Sequence, residues 1–216
     1  MDSTLPATAI VAIASNSSLC GGFNINVIHK VQEVVAEIRK AGGEVEVISV
    51  GRKMAEAMRK AGFAPEDHAD LVGRNTFEKS AAFAQTLIDA FNSGRYGRIL
   101  LIYNHFLSTA SQKVQVEQYL PFASNVIPSE ANESDYILEP SREEILATLL
   151  PQVMRLRIHT VLLDSIAAEH AARTLAMQAA SDNAEDLLAE LTLEYNKGRQ
   201  QKITSEILDL IGGAQQ

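Results

Sequence analysis

The stretch from Ser141 to Ile211 reads SREEILATLLPQVMRLRIHTVLLDSIAAEHAARTLAMQAASDNAEDLLAELTLEYNKGRQQKITSEILDLI, with a single proline, Pro151, and a single glycine, Gly198. Its Ala, Leu, Glu, Gln and Arg content is helix-forming almost throughout. Ser141 followed by Glu144 has the form of a capping box. Pro151 marks a kink or the first position of a new helix, where a missing N–H costs little. Nothing further stops the helix before Gly212 and Gly213. About 60 residues at the standard rise make a rod of roughly 90 Å, several times the mean helix of a globular protein. A small domain cannot bury such a rod.

Apolar residues along the rod say what it packs against. Leu146, Leu149, Val153 and Leu156 recur at three- and four-residue steps, and so do Ala184, Leu188, Leu191 and Tyr195. That is the spacing of a packing seam. Between them IAAEHAARTLAMQAA (166–180) is dominated by alanine, which permits close approach of another helix while adding little area. A coiled-coil partner explains the length better than an ordinary helix lying on the preceding domain.

Composition bounds the function. The chain has 216 residues and is 46% hydrophobic with no long polar tract, which is enough for one or two ordered domains with a real core. A net charge of −8 and a pI near 5.2 give no electrostatic footprint for nucleic acid. The single cysteine excludes an internal disulfide framework and fits a reducing compartment. No signal peptide or membrane-spanning run is seen, so any membrane association goes through other proteins rather than direct insertion.

In chain order, AIVAIA (9–14) is a continuous apolar run expected to form a strand buried on both faces. The turn SNSSLCGGFN (15–24) follows. Val27, Ile28, Val31, Val34, Val35 and Ile38 then mark one face of a helix ending at Gly42 and Gly43. VEVISV (45–50) is a second strand and 52–61 a short helix closed by Gly62. This β-α-β unit implies parallel strands with a right-handed crossover. A weak edge strand is expected near Leu71 and Val72. The next helix is capped by Thr76, ends at Gly94, and buries Ala81, Ala84, Leu87, Ile88 and Phe91. ILLIYNHF (99–106) is the most hydrophobic strand and reads as central. VQVEQYL (114–120) alternates like a strand with one wet face, and the link before it is too short for a parallel crossover, so it pairs antiparallel. The expected fold is α/β: about five strands, mostly parallel, flanked by helices and followed by the long C-terminal helix. Pro121, Pro128 and Pro140 mark linker sequence; the divisions are 1–125 for the α/β domain, 126–140 for the linker and 141–216 for the helix.

Candidate chemistry is thin. The turn at 15–24 sets backbone N–H groups and a helix N-terminus where phosphate could bind, but neither GxGxxG nor GxxxxGK[ST] is present. Cys20 stands near a helix start, where a thiol can be activated, and a small buried role suits it better. His29, His68, His105, His159 and His170 show no paired metal-ligand spacing. His105, at a strand end, reads as a satisfied histidine rather than a catalytic one. Two readings stay open from the residues alone: a generic coiled-coil adaptor, and a nucleotide-binding α/β enzyme with a helical oligomerisation arm.

Three segments carry a resemblance. IVAIASNSSLCGGFN (10–24), EHAARTLAMQAASDNAEDLL (169–188) and LTLEYNKGRQQKITSEILDLIGGA (191–214) together resemble the gamma subunit of the F-type ATP synthase. The resemblance implies a Rossmann-like foot that binds no nucleotide or other cofactor, and a helix running up inside the alpha and beta hexamer. It also implies the central-stalk rotor of F1, which couples proton-driven turning of a membrane c-ring to the catalytic cycle, lying peripherally on the cytoplasmic face of the bacterial inner membrane. In that family Arg199, Gln200 and Thr204 match positions that contact the catch loop of a beta subunit. DYILEP (135–140) resembles the segment near the epsilon subunit and the ring, and Tyr136 and Glu139 carry over from it. The family's N-terminal helix, antiparallel partner of the C-terminal one, has no counterpart before the first strand; the chain is therefore expected to be a fragment with an uncovered seam that self-associates or frays along 150–211. Gly198 is a second departure, since alanine is usual there.

Overall fold

A computed structural model describes residues 7–73, 75–122, 139 and 141–213. The elements are β1 (Ala7–Ile13), α1 (Phe23–Lys40), β2 (Val45–Val50), α2 (Arg52–Lys60), β3 (Glu66–Asp67), α3 (Asp70–Gly73), α4 (Phe77–Asn92), β4 (Tyr96–Ser108), β5 (Ser111–Leu120) and α5 (Arg142–Gly213). The chain divides into two compact units, Met1–Thr174 and Leu175–Gln216.

In the first unit one five-stranded sheet has the order β3-β2-β1-β4-β5. β1 pairs parallel with β2 and β4, β2 pairs parallel with β3, and β4 pairs antiparallel with β5. The chain winds outward from β1 through α1 and α2, then returns through α4 to the other side of β1. Right-handed crossovers in opposite directions put their helices on opposite faces. Pleating separates the two cores accordingly. Ile10, Ala12 and Ala14 of β1 pack with Val27, Val31, Met54 and Met58 on the α1/α2 face. Ala9, Val11 and Ile13 face Phe83, Leu87 and, from α5, Met154, Ile158, Val161 and Leu162. This is a Rossmann-like, mostly parallel sheet covered on both faces, as the apolar strands require.

At the close of β2, Gly51 (φ +104°) lies against the end of β1; a Cβ there would stand 2.1 Å from the Ala14 carbonyl oxygen, so only glycine fits. Thr76 caps α4, its hydroxyl accepting from the Lys79 N–H at 3.4 Å, and Ser141 Oγ accepts from the Glu144 N–H at 3.2 Å.

Several expectations need correction. The edge strand is Glu66–Asp67, held by pairing with Ile48 and Ser49, and Leu71 instead turns into the core from the short α3. The middle strand is β1, because the antiparallel β5 occupies the far side of β4. α4 buries Ser80 and Phe83 in place of Ala81, a stripe rotated so that the larger ring fills the core. Pro151 starts no new helix; α5 runs through it unbroken. The greatest departure concerns α5 before Thr174. It lies on the α/β domain, burying Met154, Ile158, Val161, Leu162, Ser165 and Ala168, so the stretch from Met154 to Ala172 has a covered face. The seam at Leu146, Leu149, Val153 and Leu156 is on a different side and is exposed.

In the second unit, none of the described residues from Leu175 to Leu210 is buried, with Leu188 66% and Tyr195 70% exposed. Cavity formation in the packed stretch should therefore be costly. Ile158→Ala is expected to lower stability by about 2–5 kcal/mol in urea unfolding, whereas Leu188→Ala changes it by less than about 0.5 kcal/mol.

Candidate functional site

The C-terminal edge of the sheet is where an α/β protein would hold a nucleotide. Here several of its amides are already used. The Arg52 N–H donates to Asn16 Oδ1 at 3.0 Å, the Lys53 N–H to the Ser15 carbonyl at 3.1 Å, and the Met54 and Ala55 N–H groups to the Gly51 carbonyl. At the first turn the Ser15 N–H donates to Asn24 Oδ1 at 3.0 Å and the Phe23 N–H to the Cys20 carbonyl. Asn24 Nδ2 donates to Cys20 Sγ at 3.1 Å, and Asn104 Nδ2 to the Phe23 carbonyl. The recess beside these turns is lined by Asn16, Arg52, Asp67, Asp70 and Lys79. Two cations against two carboxylates give an anion no net attraction.

Cys20 is buried against Phe23, Ala168, Ala172 and Phe106. Of the alanines in the 166–180 run, Ala168 and Ala172 make this close approach to the turn, while Ala179 and Ala180 are exposed. His105 Nδ1 lies 2.6 Å from Asp164 Oδ2, while Asp164 Oδ1 accepts from the Phe106 N–H at 3.0 Å. It is a satisfied strand-end histidine. Among the described residues no three His, Cys, Asp or Glu side chains are grouped to hold a metal ion.

The polar chemistry concentrates where α5 meets the sheet and α4. Arg157 Nε donates to Glu117 Oε1 at 2.8 Å, and its Nη2 reaches Oε2 of the same carboxylate. Tyr103 donates to Glu117 at 3.3 Å and Tyr119 to the Met154 carbonyl at 3.2 Å. Arg155 Nη2 donates to Gln85 Oε1 at 2.7 Å, and Ser80 Oγ lies 3.0 Å from His159 Nδ1. Arg173 Nη2 bonds Glu169 Oε1 and Ser17 Oγ, each at 2.7 Å. Sequence reading missed all of these; the available signal was the stripe Met154, Ile158, Leu162, Ser165 with polar residues on both sides.

Of the residues named from the family resemblance, Arg199, Gln200 and Thr204 lie exposed on α5, and Thr204 Oγ1 donates to the Gln200 carbonyl at 2.8 Å. Glu139 is exposed. Tyr136 lies outside the described residues. Nothing lies within 4 Å of where a Cβ would stand at Gly198.

The fold is a mostly parallel, Rossmann-like sheet followed by one long C-terminal helix, with its polar pairs gathered where that helix meets the sheet and α4. The comparisons with known proteins agree. The family model described as ATP synthase matches residues 2–216. The ATP synthase gamma chain of Phocaeicola vulgatus is 46% identical over 211 residues, 95% of this chain and 73% of the relative. That of Bacteroides fragilis is 44% identical over 212 residues, 95% and 73%. Among solved structures, a chain of the Euglena gracilis mitochondrial ATP synthase (OSCP/F1/c-ring, rotational state 3) matches with TM-score 0.68 at 22% identity, covering 96% of this chain and 71% of that one. The Tetrahymena thermophila central stalk and c-ring gives 0.62 at 23%, covering 81% and 76%; both show the fold. This chain belongs to the ATP synthase gamma-chain family.

Two outcomes are expected. Gly198→Ala should stabilise α5 locally by about 1 kcal/mol, read as slower amide exchange around residue 198. Tyr103 is pushed up from the ordinary 10.0 to about 12, first by burial and then by the Glu117 charge. A folded value above the unfolded one means that its stabilising contribution is present below pH 10 and disappears as pH rises through about 12. Urea midpoints should fall across that window, and less steeply in Tyr103→Phe.

Proposed function

We propose that the chain is the rotor of the central stalk in the F1 part of a proton-translocating ATP synthase. One observation carries this reading: α5 is a single helix of 72 residues, seated on the α/β domain as far as Ala172, with no buried residue between Leu175 and Leu210. A helix with exposed Leu187, Leu188, Leu191 and Leu193 is built to be surrounded by other chains. Turning such a helix within the alpha and beta subunits changes their states only because each orientation contacts those states with different free energy. The chain's contribution is stiffness and asymmetry.

In this reading Arg199, Gln200 and Thr204 meet the catch loop of a beta subunit. Arg199 offers charge-assisted donors and Gln200 a neutral amide to carboxylates and carbonyls. The seam through Leu188, Leu191 and Tyr195 takes the family's N-terminal helix. Tyr136 and Glu139 face the epsilon subunit and the c-ring. No helix among the described residues is long and apolar enough to cross a membrane; attachment to the cytoplasmic face of the bacterial inner membrane runs through the ring.

Reconstitution tests the reading. Mixed with the matching alpha, beta and epsilon subunits, the protein should join one complex in size exclusion with light scattering, and that complex should hydrolyse ATP. Arg199→Ala with Gln200→Ala should lower turnover of the complex by about tenfold, the loss of one charge-assisted hydrogen bond, while the melting of the free chain stays unchanged. A well-folded chain that enters no complex refutes the rotor assignment.

A further inference from the structure

Burial alone does not explain how α5 is held. Met154, Ile158, Val161, Leu162 and Ser165 form one buried stripe against the sheet and α4. Apolar burial is non-directional: it presses a helix down but hardly fixes its angle about its own axis. Hydrogen bonds are directional and do fix that angle. At about 100° per residue, Arg157 and Asp164 fall together on one flank of the stripe, and Arg155 and His159 fall together on the other, roughly 190° away.

Each flank is pinned to a different element. Arg157 makes its two-pronged pair with Glu117 on β5, and Asp164 takes the His105 ring at 2.6 Å and the Phe106 N–H at 3.0 Å on β4. On the opposite side Arg155 holds Gln85 at 2.7 Å and His159 meets Ser80 at 3.0 Å, both on α4. Rolling α5 either way about its axis lifts one of these flanks off its anchor. The ionic pairs are part exposed, Arg157 42% and Glu117 29%, so they add little to stability. Their bidentate geometry supplies orientation instead.

We infer that the two flanks are an anti-roll clamp: turning force passes between the α/β domain and α5 through Glu117–Arg157 and His105–Asp164 on one side and Gln85–Arg155 and Ser80–His159 on the other. These are positioning residues, and the inference rests on the rotor reading. It assigns the torque-bearing joint to side chains that pair with one another within this chain.

The test uses the whole membrane complex in vesicles, measuring ATP hydrolysis and ATP-driven proton uptake together. A variant releasing both flanks, Glu117→Gln, Asp164→Asn, Gln85→Ala and His159→Ala, is expected to keep hydrolysis within about twofold while proton uptake per ATP falls about threefold or more. Glu117→Arg alone should lower the ratio with residues 154–172 still protected in hydrogen exchange, and adding Arg157→Glu should restore it; a purely structural role would lose that protection along with the ratio. Should hydrogen exchange show residues 154–172 released in the four-site variant, the two single-flank pairs are compared in the same way. An unchanged ratio in assembled variants with the helix still seated overturns the clamp. Failure of the unaltered chain to assemble is a different result and overturns the rotor reading itself.

Discussion

The face of the sheet carrying Ala9, Val11, Ile13, Ile99 and Leu101 is closed by α4 and by the stretch of α5 from Met154 to Leu162. Without that cover, strands with apolar residues on both faces would leave one face in water. The burial is therefore required twice: it completes the core of the α/β domain, and it fixes where a long helix is attached. From Leu175 to Leu210 no residue of α5 is buried. Leu188, Leu191 and Tyr195 can stay apolar and exposed because the core does not need them.

Function follows from the division of labour along this one helix. Its first part is held by a buried stripe with directional pairs on both flanks, a joint suited to bearing load. Its later part offers surface to partners. At the C-terminal edge of the sheet, the usual ligand site of such folds, the N–H groups of Arg52, Lys53, Met54 and Ala55 are spent on Asn16, Ser15 and Gly51. A doubly wound sheet of this kind is shared by many unrelated activities, so the fold alone is a poor guide to what the domain does.

Much of the architecture was legible in local sequence. Strand runs such as VEVISV and the Val27-Val31-Val34-Val35 face of α1 depend on nearest-neighbour periodicity, and the antiparallel β5 follows from the short link before it. The seat of α5 was not legible. The seam at Leu146, Leu149, Val153 and Leu156 has the same spacing as the stripe through Met154, Ile158 and Leu162, and periodicity cannot say which of two apolar stripes meets the domain. Glu117, Asp164 and His159 carry no motif; their roles arise from partners 40 to 79 residues away.

By itself the sequence determined which of the longer segments are helix and which strand, that a βαβ core exists, and that one helix outruns any cover the domain could provide. Those properties rest on propensity and period, which act over a few residues. Only the tertiary structure decided that β1 is the middle strand, that Ala168 and Ala172 approach the Cys20 turn, and that Asp164 and Arg157 grip β4 and β5. Those depend on which surfaces meet when two sheet faces compete for a limited set of apolar stripes, a choice made by the whole chain at once.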